Sequence, residues 1–186
     1  MLPLREAKKE IMNCINCGNH IDDPVTVHEY HYKECGLNNV WFRDLVLKYQ
    51  CSCAETYYEF PPLNTAYLVI AYCLLKKTTL LSKEEFRFLR KWVGLTADKL
   101  IQLLGVKSRV TVSNWERGKK AITQATDHAM RMLVMELKDK EIRRRMFEEI
   151  TFEEWLRNIK SGGKREKINV DSEKMEEFTS QTAGLA

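Results

Sequence analysis

Two close pairs of cysteines are the part of this sequence best suited to bind a metal ion. Cys14 and Cys17 form a C-x-x-C pair followed by Gly18, and Cys51 and Cys53 form a tighter C-x-C pair. In a C-x-x-C knuckle two thiolates bind one ion, and structural zinc takes four such ligands in a closed tetrahedral shell. The two pairs together therefore predict one structural zinc ion, Zn2+, bound by these four cysteines.

Four other side chains in the same part of the chain compete as ligands: Cys35, His20, His28 and His31. Each histidine is more simply interpreted as a surface residue of a strand. Cys73 lies in an apolar stretch and is expected to pack in a hydrophobic core. A redox role of the first cysteine pair would require a βαβ pattern around it, which the sequence lacks.

Residues 81–120 carry a second pattern with chemical meaning, three short helices in a row. Each is predicted to begin at a Ser or Thr N-cap and to end at a glycine, and Glu85 completes a capping box in the first. The helices are expected over 81–94, 95–106 and 107–120, with N-caps Ser82, Thr96 and Ser108 and terminal glycines Gly94, Gly105 and Gly118. Three such helices, with a glycine turn between the second and the third, are typical of a helix-turn-helix.

Apolar spacing predicts which faces of these helices are buried. The inward residues are expected to be Phe86, Leu89 and Val93 in the first helix, Leu100, Leu103 and Leu104 in the second, and Val112 and Trp115 in the third. In a helix-turn-helix the third helix enters the major groove of DNA with its N-terminal end first. Its outward face then supplies the base contacts, which we predict to be Arg109, Val110, Ser113 and Asn114. Arginine suits guanine, asparagine suits adenine, and valine can contact a thymine methyl group.

The predicted phosphate contacts lie at the two ends of the motif. Arg117, Lys119 and Lys120 leave the third helix where the DNA backbone should run. Backbone N–H groups at Thr96 and Ala97, at the start of the second helix, should approach another phosphate.

Composition and charge narrow the class of protein. The 186 residues carry a net charge of +4, but residues 83–120 hold 10 Lys and Arg against 4 Asp and Glu, whereas residues 1–60 hold 6 against 9. A basic stretch suits a polyanionic partner, although a solvated basic face would have the same composition. The longest apolar run, AYLVIAYCLL, is about half of the roughly 20 residues that a membrane-spanning helix needs. We expect it to be a core or interface helix, in a reduced, cytoplasmic protein without a secretory signal.

Changes in pattern divide the chain into five predicted parts. The fold class is expected to be mainly α, with a small β zinc-ribbon domain at the N-terminus and a five-helix helix-turn-helix domain at the C-terminus. The parts are an N-terminal lead at 1–11, the zinc ribbon at 12–60, a linker with the apolar helix at 61–80, the DNA-binding and dimerisation domain at 81–160, and a disordered tail at 161–186.

The helical pattern of residues 125–150 has two interpretations. Ala129, Met132, Leu133, Leu137 and Ile142 are predicted to form one apolar stripe. The stripe closes the core of the helix-turn-helix, or provides the dimer contact that a repressor with two half-sites needs, or does both on successive turns.

The helix-turn-helix segments GLTADKLIQLLGV and TVSNWERGKKAI resemble the lambdoid-repressor (Xre/Cro) class. With MNCINCG, CGLNNVWF, the C-x-C pair and LSKEEFRFLRKWVGLT, residues 12–135 resemble the MqsA-type antitoxins, which join a YgiT-type zinc finger to an Xre/Cro-like domain. In that family the zinc domain is structural and binds a toxin, and the helix-turn-helix dimerises and represses the toxin–antitoxin operon. The resemblance implies zinc at Cys14, Cys17, Cys51 and Cys53, and a bacterial or phage origin. The C-x-C pair departs from the usual C-x-x-C, and Ile101 stands where the class usually has a small residue.

The expected function is that of a transcriptional repressor that binds a palindromic operator as a homodimer and regulates its own gene. The alternatives are a toxin-neutralising interaction protein and a solitary phage or mobile-element regulator without a toxin. An enzyme is not expected, because four cysteines leave no open zinc position for water. The sequence also lacks a Ser/His/Asp arrangement, a phosphate loop and an H-E-x-x-H motif.

Overall fold

The structure, a computed structural model, describes residues 13–21, 23–106, 108–138, 140–148, 150–160 and 166–179. These ranges contain one small sheet and eight helices, so the fold is mainly α, as predicted. The strands are β1 (Val25–His31), β2 (Val40–Gln50), β3 (Thr56–Glu59) and β4 (Ile168–Val170). The helices are α1 (Leu63–Lys76), α2 (Lys83–Trp92), α3 (Ala97–Leu104), α4 (Arg109–Arg117), α5 (Gln124–Leu137), α6 (Lys140–Met146), α7 (Phe152–Asn158) and α8 (Ser172–Thr179).

The sheet is built around β2, which pairs with each of the other three strands. β1 and β3 lie antiparallel to it, and β4 lies parallel to its first residues. The register between β1 and β2 shifts near Asp44, which has a positive φ of 54°. Aspartate tolerates this left-handed conformation better than most residues, so the irregularity has a local cause. The antiparallel N-terminal strands fit the predicted zinc ribbon.

One face of the sheet shares its core with the helices. Val40, Phe42 and Val46 of β2 are buried in the same hydrophobic cluster as the inner faces of α1, α2 and α5. Among the described residues, a small second cluster, formed by Cys14, Ile21 and Cys51, lies apart from it. The predicted zinc-ribbon segment therefore contributes to two cores, a tiny one beside the cysteines and the main one.

The expectation of a disordered tail over residues 161–186 is wrong for residues 166–179. β4 pairs with β2, with Ile168 opposite Val40, and α8 packs Phe178 against Tyr72 of α1 with ring centroids 5.4 Å apart. The few apolar residues of this polar segment are spaced so that Ile168, Val170, Met175 and Phe178 are all buried. The rest of that prediction, at 161–165 and 180–186, and the N-terminal lead at 1–11 fall outside the described residues.

The apolar run of the sequence forms α1 and is a core helix, as expected. Its buried residues are Ala66, Val69, Ile70, Ala71, Leu74 and Leu75. It packs against α2, α6, α8 and β4 and so joins the sheet to the other helices. In the part of the chain that the structure describes, every helix is too short or too polar to cross a membrane.

Ser82, Thr96 and Ser108 lie at the predicted N-cap positions of the three helices of the 81–120 segment, and the side chains of Ser82 and Thr96 cap their helices, whereas Ser108 makes no side-chain capping hydrogen bond. Ser82 and Glu85 form a capping box at α2, and Thr96 accepts a hydrogen bond from the N–H of Lys99 at α3. Gly105 and Gly118 end α3 and α4 with φ values of 62° and 71°, which glycine adopts without strain.

Of the eight residues predicted to point inward, five are fully buried and three are not. Phe86, Leu89, Leu100, Val112 and Trp115 are buried, and Leu104 is half-buried. Val93 is only half-buried, because it lies at the C-terminal end of α2. Leu103 is exposed, and Leu100, on the preceding turn of the same helix, is the residue buried in the core.

Only part of the predicted apolar stripe of residues 125–150 closes the core. α5 buries Met130, Val134 and Met135 together with the charged pair Asp127 and Arg131. Ala129 and Leu133 are half-buried, and Met132 and Leu137 are exposed by 41% and 50%. Ile142 is buried in α6. α5 therefore has two apolar faces, and the predicted stripe is divided: Leu133 and Ile142 pack in the main core, whereas Met132 and Leu137 lie at the surface.

A buried ion pair joins the end of α1 to α5. Arg131 and Asp127 are both fully buried, with Nε and Oδ1 2.8 Å apart. The guanidinium also donates to the carbonyl oxygens of Leu74, Leu75, Lys77 and Thr79, at 2.7–2.9 Å. Asp127 in turn accepts a hydrogen bond from the backbone N–H of Leu81. These bonds satisfy carbonyl groups at the C-terminal end of α1, where Leu75 also accepts a hydrogen bond from Nε1 of Trp155, and they fix the start of α2.

Candidate metal centre and nucleic-acid interface

The four predicted cysteines converge on one point. Their Sγ atoms all lie within 4.8 Å of one another. Cys14 and Cys53 are 3.6 Å apart, and Cys17 and Cys51 are 3.5 Å apart. Tetrahedral zinc with Zn–S bonds of about 2.3 Å places its sulfur ligands about 3.8 Å apart. The thiols therefore fit a metal ion of this coordination, and zinc is the ion that a set of four cysteines favours.

Two tight loops position these thiols. In the first, the N–H of Gly18 donates to the carbonyl of Cys14 at 2.8 Å, and Gly18 has a φ of 74°. In the second, which follows β2, the N–H of Ala54 donates to the carbonyl of Cys51 at 3.0 Å, and Ala54 has a φ of 71°. Ala54, the left-handed residue that follows Cys53, turns the chain directly after the shorter C-x-C pair. The departure from C-x-x-C spacing therefore does not prevent the second pair from facing the first.

Tyr57 of β3 also contacts the thiol cluster, a contact that was not predicted from the sequence. Its hydroxyl lies 3.2 Å from Sγ of Cys14 and accepts a hydrogen bond from the N–H of Ile15. The hydrogen bond from this hydroxyl is the main cause that lowers the pKa of Cys14 to about 6. For Cys17 the hydrogen bond from the backbone of Asn19 lowers the pKa, but neighbouring thiols and burial outweigh it and raise the pKa to about 12. The lowered pKa favours the thiolate form of Cys14, which is the form that binds a metal ion.

The competing ligands have other partners. Sγ of Cys35 lies 3.7 Å from the carbonyl oxygen of Tyr32, and burial raises its pKa. His28 contacts Asp44, and His31 stacks on the ring of Trp41. Among the described residues, neither they nor His20 and Cys73 belong to the group of possible metal ligands. The four-cysteine set is the one that the geometry supports.

The second site is the surface formed by α3 and α4. Val112 and Trp115 anchor α4, and the Trp115 ring contacts Phe86 of α2 edge to face at 5.8 Å. Arg90 of α2 pairs with Glu116 of α4, with Nη2 3.1 Å from Oε2, and its Nη1 donates to the carbonyl of Leu95. Because these contacts hold α4 rigidly on α2, the outward side chains of α4 have a defined position.

The residues predicted to contact bases lie together on the outer side of α4. Arg109 and Val110 are exposed in its first turn, with Val110 exposed by 64%, and Ser113 and Asn114 are half-buried one turn later. Arg117, Lys119 and Lys120 are exposed at the other end. Thr96 is exposed and Ala97 half-buried at the start of α3. Contact of these residues with DNA is a prediction that the fold of the isolated chain does not test.

Asp98 is a further residue at this surface, and its role was not predicted from the sequence. Its two carboxylate oxygens accept hydrogen bonds from Nε and Nη2 of Arg109, so that the ion pair spans from α3 to α4. Both side chains are exposed, Arg109 by 73% and Asp98 by 49%. The ion pair raises the pKa of Arg109, which keeps the guanidinium charged.

Beside this surface lies an apolar groove of about 560 Å³. Its floor and walls are apolar residues of α3, α5 and the α6–α7 region, and Glu136 and Arg143 stand at its rim. The apolar lining residues are Leu103, Leu104, Ala129, Met132, Leu133, Met135, Phe147 and Phe152. The surface stripe of α5 is therefore part of a concave apolar surface rather than a set of isolated exposed residues.

Comparison with known proteins adds no relative to this description. No protein-family model, curated protein or solved structure matches the chain. Functional inference therefore rests on two arrangements of the chain's own residues: four thiols placed as tetrahedral metal ligands, and an anchored helix, α4, with Arg109, Val110 and Asn114 on its outer side.

Proposed function

We propose that the protein is a sequence-specific DNA-binding regulator of transcription, with an Xre/Cro-like helix-turn-helix formed within α2–α5. One observation carries the proposal: α4 is fixed to the core by Val112 and Trp115, while Arg109, Val110 and Asn114 project from its outer side. A short helix held in this way can enter the major groove, where arginine and asparagine recognise guanine and adenine.

Electrostatics supports DNA as the partner. The exposed cations of α2, α3, α4 and the following loop are Lys83, Arg87, Lys91, Lys99, Arg109, Arg117, Lys119 and Lys120. Two of the nearby acids are already paired with arginine, Glu116 with Arg90 and Asp98 with Arg109. The remaining field is strongly positive and suits the phosphate backbone, which supplies most of the non-specific affinity of DNA-binding proteins.

The metal centre is proposed to bind one zinc ion with a structural role. Four thiolates would complete the tetrahedral shell, so that no position remains for a reacting water molecule. The hydrophobic cluster beside the thiols has three buried residues, Cys14, Ile21 and Cys51, too few to order two loops by burial alone. The bound ion would supply that order, and a role as an enzyme is not proposed.

The resemblance to MqsA-type antitoxins favours regulation of the protein's own operon, with a toxin as an additional partner. Val25 and Tyr58, apolar or aromatic residues exposed on the sheet, are compatible with a protein partner at the N-terminal part. The second candidate, a toxin-neutralising interaction protein, would be favoured by a neighbouring reading frame that encodes a basic, RNase-like toxin. The absence of such a frame would favour a solitary regulator of a phage or mobile element.

We propose a second copy of this chain as the occupant of the apolar groove. Glu136 and Arg143 at its rim lie 3.2 Å apart and carry opposite charges. In a two-fold interface Glu136 of each copy could instead pair with Arg143 of the other copy, so the rim is self-complementary. A dimer on this surface would place two α4 helices on one DNA duplex, as a palindromic operator requires.

Met132→Glu is expected to dissociate this dimer, because a carboxylate would be buried in an apolar interface. We expect the dissociation constant of the dimer to rise by about 100-fold or more. Size-exclusion chromatography with light scattering would measure the change. Val25→Glu, which places the same charge on an exposed residue of β1, should leave the dimer intact. A fully dimeric Met132→Glu variant would exclude the groove as the interface.

Binding to the DNA upstream of the protein's own gene tests the proposed function. Fluorescence anisotropy over a salt series should show tight binding to that DNA and weak binding to a scrambled duplex. Three phosphate contacts for each protomer, from Arg117, Lys119 and Lys120, predict a slope of about −3 per protomer in log affinity against log salt. Equal, weak binding to both duplexes would contradict autoregulation and direct attention to a protein partner.

A further inference from the structure

We propose that Asp98 is a specificity-determining positioning residue, which fixes the guanidinium of Arg109 so that it selects guanine in the operator. This inference rests on the proposed function, since it names the base that one residue of α4 recognises. Asp98 is an acidic residue on this surface, whereas the other predicted contacts there suit a negatively charged partner.

The geometry of the ion pair is the first part of the argument. Asp98 lies in the first turn of α3 and Arg109 in the first turn of α4, so the pair links the two helix ends that face the DNA in the proposed complex. Oδ1 of Asp98 accepts from Nε of Arg109, and Oδ2 accepts from Nη2. This fork-to-fork arrangement holds the plane of the guanidinium as well as its position.

Arg109 keeps hydrogen-bond donors that Asp98 does not use. A guanidinium has five N–H donors, and Asp98 uses the one on Nε and one of the two on Nη2. The outer edge of the group, formed by Nη1 and the other Nη2 hydrogen, keeps two adjacent donors. Guanine presents two adjacent acceptors in the major groove, O6 and N7, whereas adenine presents one acceptor beside a donor. The held arginine therefore matches guanine and is mismatched with adenine.

The negative charge of Asp98 also affects how Arg109 binds DNA. A free arginine on a flexible stem can bind any phosphate, which adds affinity without sequence preference. The carboxylate at the start of α3 repels phosphate and neutralises part of the Arg109 charge. Asp98 should therefore weaken binding to random DNA and sharpen selection for guanine. An ion pair with a purely structural role would not lower the affinity for random DNA and raise the selectivity for guanine at the same time.

The test begins with duplexes selected by the wild-type protein from a randomised pool. The base pair contacted by Arg109 is the position whose preference disappears in Arg109→Ala, and the wild-type protein should prefer guanine there by about 10-fold or more. In Asp98→Asn this preference should fall severalfold, while affinity for random DNA rises and the salt slope becomes steeper by up to about one. Glu153→Gln, which removes the carboxylate from another exposed ion pair with arginine, should leave the guanine preference, the affinity for random DNA and the salt slope unchanged.

The outcomes separate this inference from the proposed function. A wild-type protein that selects no sequence would refute the function itself. A wild-type protein that selects a sequence would leave the function standing, but three results would overturn the role of Asp98. These are full guanine selection in Asp98→Asn, preference for another base at the Arg109 position, and unchanged selection in Arg109→Ala. Circular dichroism would verify that each exposed-site variant is folded.

Discussion

Cys51→Ser is expected to abolish stable zinc binding and to release the two cysteine loops from the fold. Removal of one thiolate opens the tetrahedral shell, so zinc affinity should fall by more than the roughly 10–100-fold that loss of an outer-shell contact costs. Because the cluster beside the thiols buries so few residues, hydrogen exchange should accelerate in residues 13–21 and 50–56. Helices α1–α8 should stay protected, since β2 remains anchored in the main core through Phe42 and Val46.

Cys35→Ser is the matched control for this result. Cys35 lies outside the thiol cluster, and a serine hydroxyl can donate to the same carbonyl of Tyr32. Metal analysis of the purified proteins should find one zinc ion for each chain in the wild type and in Cys35→Ser, and none in Cys51→Ser. A fully metal-loaded Cys51→Ser variant would show that the site does not depend on four cysteines.

Arg131→Met should destabilise the fold by about 3–5 kcal/mol, the range observed when one partner of a buried ion pair is removed. The substitution leaves the Asp127 carboxylate buried without its counter-ion and removes the guanidinium donor from four carbonyl groups around the end of α1, of which Leu75 keeps the indole N–H of Trp155. Urea unfolding followed by circular dichroism would measure the change in the free energy of unfolding.

Arg157→Met provides the comparison at the surface. Arg157 also pairs with a carboxylate four residues away, Glu153, but both side chains are mostly exposed. Its removal should change the free energy of unfolding by no more than about 0.5 kcal/mol. If both variants had the same small effect, the buried pair would not fix α1 to α5 as described.

Features that depend on neighbours in the chain were predictable from the sequence. The capping box of Ser82 and Glu85, and the glycine ends of α3 and α4, involve residues within a few positions of each other. The grouping of the four cysteines was predictable as well, because pairs of thiols at close spacing are a clear chemical pattern.

Features that depend on distant parts of the chain were not. β4 is only three residues long and is stabilised by parallel pairing with β2, more than a hundred positions earlier, so composition suggested disorder. α5 has two apolar faces, and periodicity alone cannot decide which one meets the core, since Arg131 lies on the buried face. Tyr57 and Asp98 acquire their contacts only when separate segments meet in the fold.

The most direct test of the central claim, that α4 recognises bases, is the effect of Asn114→Ala on binding to a selected duplex and to random DNA. We expect affinity for the selected duplex to fall by about 5- to 150-fold and affinity for random DNA to stay nearly unchanged. Lys120→Ala should instead weaken both complexes similarly and reduce the salt slope by about one. Equal losses on both duplexes in Asn114→Ala would contradict base recognition by α4.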